Sequence, residues 1–172
     1  AHLQSNYTTY DGMADLYVYF FELGLRVLRP GGRLGFIVTN KWMKAGYGEG
    51  LRTHFANHSW IESVIDFGHA KQIFPDADVF PGIFVTRKPD TGVAPESARV
   101  CVIPREQLKI EDLTQQVEEI GFEAPRSRFG SAVWSLEPPG ADQLLGKLAA
   151  SGSSLREVMR SKPLRGLLTG LN

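Results

Sequence analysis

The sequence predicts an α/β chain: the C-terminal half of a doubly wound sheet that finishes in a β-hairpin, followed by the start of a second domain. Three observations carry this. An apolar-periodic run over residues 14–28 stops at Pro30-Gly31-Gly32 and passes directly into a compact apolar run over 34–38. Helix and strand patterns then alternate as far as Lys88, and the last two strands are separated only by a loop. Past Pro89 the texture turns polar and irregular, as it does where one folding unit gives way to another.

In the first element, Leu16, Tyr19, Phe20, Leu23, Val27 and Leu28 recur at three- and four-residue steps and predict one face of a helix. Asp15 suits its start, where negative charge is favoured. Pro30 cannot continue a helix, and Gly31-Gly32 supply the dihedrals of a tight turn. Residues 34–38 read as a strand covered on both faces within a parallel sheet. Gly46-Tyr47-Gly48 then leads to a helix over 49–57 with Leu51 and Phe55 inward. A second strand over 61–67 closes on Gly68, a loop spans 68–78, and a third strand over 79–86 is the antiparallel member of the final hairpin. Only three sheet strands are legible here. The first half of the sheet and an initiator Met are both missing, which points to a portion of a longer polypeptide. Beyond Pro89 the pattern gives a strand over 98–104, a weak helix over 105–117, an aromatic strand around Val133-Trp134 and a helix over 141–150.

Hydrophobic content of 42% and charged content of 22% fit an ordinary soluble globular protein, not a disordered or membrane-embedded one. No apolar run approaches the roughly 18 residues a bilayer span needs, and the opening residues do not form a signal peptide. The single cysteine, Cys101, sits in an apolar run and reads as core; it excludes an internal disulfide and favours a cytoplasmic location. Net charge is zero, which gives no global argument for nucleic acid. Its distribution is uneven: residues 105–125 are acidic, whereas Arg126, Arg128, Lys147, Arg156, Arg160, Lys162 and Arg165 make the tail basic. That tail suits phosphate contacts or a plain solvated surface equally.

Several fragments now fall into an order. They are Asp15-Leu16-Tyr17 followed by Phe20, the Arg29-Pro30-Gly31-Gly32 turn, Phe36-Ile37-Val38 with Asn40-Lys41-Trp42, and Ile65-Asp66-Phe67-Gly68 ahead of Ile73-Phe74-Pro75-Asp76-Ala77-Asp78-Val79-Phe80-Pro81. In this order the chain resembles the adenine-N6 DNA methyltransferases of restriction–modification systems, most of all the large single-chain type IIG class. Residues 163–172, with Arg165-Gly166 and Thr169-Gly170-Leu171-Asn172, resemble the opening of a TaqI-like target-recognition domain. The resemblance implies a Rossmann-like, S-adenosylmethionine-dependent methyltransferase domain whose C-terminal half occupies residues 1–120. A connecting region would fill 121–150, and the specificity domain would start over 151–172.

The resemblance also implies roles. Double-stranded DNA is the partner, an adenine is extruded from it, and the methyl donor is S-adenosylmethionine. The full protein leaves room for a nuclease domain or subunit. Phe74, just before a proline in the loop between the last two strands, would stack on the extruded base, with Phe80 as its competitor and ordinary core packing as the bland alternative. Phe20 would line the adenine end of the cofactor site unless it packs inward. Asp15 fits a helix start better than a catalytic acid. Lys41 and Lys44 lie just past the carboxyl end of a strand, where open α/β sheets place ligands, and suit DNA phosphate contacts. The Asn-Pro-Pro-Tyr/Phe motif and the glycine-rich cofactor loop of the family are absent from this sequence. No catalytic residue is therefore assigned here, and the fragment alone is expected to be inactive.

Other chemistries find no support. His2, His54, His58 and His69 are scattered and form no nucleophilic triad, Asp76 and Asp78 lack a third ligand for a metal, and Gly31-Gly32 precede a strand, unlike a phosphate loop. The alternative of a different class is a non-catalytic methyltransferase-like module for DNA binding or assembly.

Overall fold

The computed structural model of the chain describes residues 2–153 and 155–159. Residues 163–172, with the motif resembling a target-recognition domain, and the basic side chains Arg160, Lys162 and Arg165 lie outside the described residues. The chain divides after Leu136 into two compact units. In the first, α1 (His2–Asn6) and α2 (Leu16–Val27) lead to β1 (Arg33–Thr39), 3-10 turns at Lys41–Met43 and Gly46–Gly48, and α3 (Glu49–His58). Then follow β2 (Trp60–Asp66), β3 (Pro81–Arg87), β4 (Ser97–Val102), α4 (Leu113–Ile120) and β5 (Phe122–Pro125). The second unit contains α5 (Pro139–Ser151), with Pro at its first turn, and α6 (Leu155–Met159).

The fold is α/β, with a mixed sheet in the order β1-β3-β2-β4-β5. β3 runs antiparallel to β1 on one side and to β2 on the other, so the final hairpin inserts its second strand between two parallel ones. β4 is parallel to β2, and β5 is antiparallel to β4.

Side-chain alternation divides the core into two layers. Phe36, Phe84, Val64, Val100 and Phe122 are register partners across all five strands. They form one row facing Val18, Phe21 and Leu25 of α2 and Leu51 and Phe55 of α3. The next row, Ile37, Ile83, Ile65 and Cys101, points the other way. Ile65 and Cys101 pack there with Phe67, Ala70 and Ile103, beneath Leu113 and Val117 of α4. Cys101 is thus a core residue, and burial pushes its thiol pKa up.

One helix face is resolved and four expectations are corrected. The inward face of α2 is Val18, Tyr19, Phe21, Glu22 and Leu25, whereas Leu16, Phe20, Leu23 and Val27 are exposed. The helix carries two apolar stripes, and the one with the cleaner three–four spacing faces outward. β1 is not covered on both faces: it lies at the edge of the sheet among the described residues, and Leu34, Phe36 and Val38 pack on the core while Arg33, Gly35 and Ile37 alternate with them as exposed residues. The sheet holds five strands, not three, since β4 and β5 extend it. Residues around Val133-Trp134 form no strand; Trp134 instead fills the core against Trp42 at 4.9 Å and Phe129 at 5.0 Å, and its backbone N–H donates to the Met43 carbonyl. The weak helix lies later than expected, at Leu113–Ile120 behind a 3-10 turn at Ile110–Asp112.

Candidate functional site

β1 and β2 point the same way, and a cleft of about 630 Å³ opens beyond their carboxyl ends. One wall is the 40–47 segment, contributing Asn40, Lys41, Lys44 and Tyr47; the other is Asp66, Gly68 and Phe80, at the feet of the 67–80 loop. Lys41 and Lys44 are exposed, while Trp42 and Met43 between them are buried, so this short turn points its cations outward by burying its apolar residues.

The turn is held from beneath by Arg52 of α3. Its Nη1 donates to the carbonyls of Trp42 (2.6 Å) and Ala45 (2.9 Å), and Nε donates to Ser131 at 3.0 Å. Arg52 is buried, and the loss of solvent lowers its pKa, yet a guanidinium keeps its charge under such conditions. Gly48 packs so closely that a Cβ there would collide with the Trp42 carbonyl, hence a glycine. Tyr47 is tied to the start of α2 by a 2.8 Å hydroxyl–hydroxyl hydrogen bond with Tyr17. Burial, together with Tyr47, pushes the Tyr17 phenol pKa far up and keeps it protonated.

The opposite wall is fixed by Asp66. Its Oδ1 accepts from Asn40 Nδ2 and from Gly68 N, both at 2.8 Å. Gly68 has φ of +55°, a left-handed conformation that glycine adopts without strain, and this sends the chain out of β2 into the loop. Within the loop Ile73 packs into the second core layer, while Phe74, its neighbour, is 37% exposed. His69 Nε2 meets Asp78 Oδ1 at 2.6 Å, and the His69 ring lies 5.2 Å from that of Phe80. Phe80 itself is 40% exposed.

Of the residues singled out from sequence, Lys41, Lys44 and Phe80 line the cleft, and Phe74 stands on the same loop outside its lining. Phe20 is 54% exposed on α2, one turn after Tyr17, whose hydroxyl reaches the cleft wall. Phe21, beside it, is the fully buried member of the pair. Asp15 caps α2, its Oδ1 accepting from the Leu16 N–H at 2.9 Å, and this accounts for its place in the sequence. Asp66 and Arg52 escaped the sequence reading as members of the candidate site, whereas Asn40, in the Asn40-Lys41-Trp42 run just past the carboxyl end of a strand, lines the cleft. Among the described residues no three His, Cys, Asp or Glu side chains form a metal-binding group, and no helix is long and apolar enough to cross a membrane.

Residues 1–74 match the family model of the Eco57I restriction-modification methylase. The type II methyltransferase M.XhoI of Xanthomonas vasicola is 33% identical over 104 residues, which cover 60% of this chain and 19% of that protein. The chain therefore spans about a fifth of that relative's length. Among solved structures, a class I S-adenosylmethionine-dependent methyltransferase from Listeria monocytogenes superposes with a TM-score of 0.51 at 20% identity, covering 64% of this chain and 33% of that one. The type IIG restriction endonuclease BpuSI gives 0.54 at 17% identity over 74% of this chain and 16% of its own. The fold is the Rossmann-like fold of class I methyltransferases. In sequence the chain resembles restriction–modification methyltransferases.

Proposed function

We propose that this chain is the C-terminal part of the catalytic domain of a site-specific DNA methyltransferase of a restriction–modification system, one that methylates adenine at N6. The observation that carries the reading is the cleft beyond the carboxyl ends of β1 and β2, with cations on one wall and a half-exposed aromatic loop on the other. It stands in a chain whose first 74 residues match a restriction–modification methylase family. A planar base drawn from a duplex costs a few (~2–4) kcal/mol to extrude. Stacking on an aromatic ring returns ~1–3 kcal/mol, and Phe74 has the exposure to provide it, with Phe80 beside the cleft as the second ring. Lys41 and Lys44 face solvent at the cleft rim, where DNA phosphates would lie.

The methyl donor in this reading is S-adenosylmethionine, which supplies an electrophilic methyl group. Phe20 fits the purine end of such a molecule, because its ring is free of the core and shares a helix face with Tyr17. The glycine-rich loop and the Asn-Pro-Pro-Tyr/Phe motif would come from the remainder of a longer polypeptide, together with most of a TaqI-like specificity domain and any nuclease. On this account residues 1–120 alone bind neither partner productively, and the intact protein works on cytoplasmic double-stranded DNA.

The test is methylation by the intact protein. DNA modified in its presence, digested to nucleosides and separated by mass spectrometry, is expected to contain N6-methyladenine. Methylated cytosine alone would end the adenine assignment, and tight DNA binding with no methyl transfer would favour a non-catalytic module. Phe74→Ala is expected to lower turnover about 5- to 150-fold, the kinetic equivalent of ~1–3 kcal/mol of lost stacking, and to change the 2-aminopurine fluorescence seen on DNA binding. Unchanged kinetics and fluorescence would remove Phe74 from the site.

A further inference from the structure

The loop that carries Phe74 and Phe80 is fastened at both ends by one pair of residues, Asp66 and Asn40. At its start, the Gly68 N–H donates to Asp66 Oδ1 at 2.8 Å. At its end, the Phe80 carbonyl accepts the backbone N–H of Asn40 at 2.8 Å. Asn40 Nδ2 closes the circuit by donating to the same Asp66 oxygen, again at 2.8 Å. Asp66 is itself fixed from the far side, because its carbonyl accepts the Ile103 N–H at 2.8 Å. Asn40 also begins the turn bearing Lys41 and Lys44. The cationic wall and the aromatic wall are therefore joined twice, by the main-chain bond between Asn40 and Phe80 and by the single Asp66 oxygen that links Asn40 to the start of the loop.

We propose that Asp66 is a positioning residue: acting through Asn40 and Gly68, it holds the Phe74–Phe80 loop at the separation from the Lys41–Lys44 turn that a planar base requires. The inference rests on the methyltransferase reading. A role in proton transfer fits poorly, since the oxygen facing the loop is already shared by two donors. Hydrogen bonds to a charged acceptor are stronger than neutral ones, and two of them converging on one oxygen suit a fixed clasp better than a movable latch.

Asp66→Ala removes the acceptor, whereas Asp66→Asn keeps an oxygen able to take both bonds, and Asn40→Ala breaks the circuit from the opposite side. In the intact protein, with folding checked by circular dichroism and thermal unfolding, Asp66→Ala is expected to speed amide hydrogen exchange over residues 68–80 by about tenfold or more. It should lower kcat on DNA by a similar factor of about ten while leaving KM for S-adenosylmethionine within about threefold. Asn40→Ala should reproduce both effects, and Asp66→Asn should bring both back to within about threefold of the parent. Unaltered loop exchange in Asp66→Ala, or no rescue by Asp66→Asn, would overturn the proposal. Absence of methyl transfer by the parent protein would instead strike the functional reading, and the exchange measurement would still decide for or against the clasp.

Discussion

Glu22 is the only buried carboxylate of α2, and its replacement by Gln gives a measurable account of how the N-terminal segment is held. Oε1 accepts from Thr8 N at 3.1 Å and from Arg26 Nη2 at 2.8 Å, while Oε2 accepts from Thr9 N at 2.9 Å and from the Thr8 hydroxyl at 3.1 Å. Burial alone would raise the pKa of this carboxyl, but the Thr9 and Thr8 donors, aided by Arg26, outweigh it and hold the group at about 2 against an ordinary 4.5. A depression of that size corresponds to about 3 kcal/mol of folding stability. Above pH 4.5 both the folded and the unfolded chain carry the ionised group and this contribution is fully present. As pH falls from about 4.5 towards 2, the unfolded chain takes up the proton first and the contribution drains away. Glu22→Gln puts an amide NH2 where one oxygen served backbone donors, so it should cost about 2–4 kcal/mol at pH 7 by urea unfolding. The gap between the two proteins should narrow steadily below pH 4.5. Parallel stability curves across pH 2–7 would refute the reasoning, because they would mean that the carboxylate gains nothing from its partners when the chain folds.

Three further outcomes follow from burial and charge. Phe21→Ala is expected to cost about 3–5 kcal/mol, since the ring is fully buried among Phe36, Trp42, Phe55 and Phe84, whereas Phe20→Ala should stay within ~1 kcal/mol in the same unfolding assay. Phe20→Ala should nonetheless weaken binding of radiolabelled S-adenosylmethionine to the intact protein; equal affinity would remove Phe20 from the cofactor site. Replacing Lys41 and Lys44 together by Ala should reduce the salt dependence of DNA binding by about two in the log–log slope, without changing which sequence is methylated. An unaltered slope would show that these cations do not reach phosphate.

The sequence made the alternating order of the first unit legible because its elements are stopped by residues with only one reading: Pro30 ends a helix, and Gly68 ends a strand. It made the inner face of α2 illegible because both sides of that helix are apolar, and periodicity cannot tell Leu16-Phe20-Leu23 from Val18-Phe21-Leu25. The buried Glu22 lies on the inner face and argues against it by polarity; its partners are backbone N–H groups that no sequence pattern displays. β5 was missed for a related reason. Phe122–Pro125 is four residues long and contains a glutamate and a proline, so only its pairing with β4 identifies it as a strand. Trp134 misled in the opposite sense, since an aromatic between Gly-Ser and Pro-Pro looks like a strand and proves to be a plug. At the site, Lys41, Lys44 and the aromatic loop could be found from residue type and position. Asp66 and Arg52 could not, because what they do is accept from or donate to main-chain atoms brought together by the fold.

The placement of β3 has a consequence for how the polypeptide is made. β1 and β2 are synthesised first and end up on either side of a gap that only Pro81–Arg87 can fill. Until that segment leaves the ribosome, Arg33–Thr39 has no strand in this stretch of chain to bond with, and its ladder of N–H and C=O groups stays bare. The interval between translation of Thr39 and Arg87 is thus a period when this segment is open to sticky encounters, and a pause in translation there would prolong the danger.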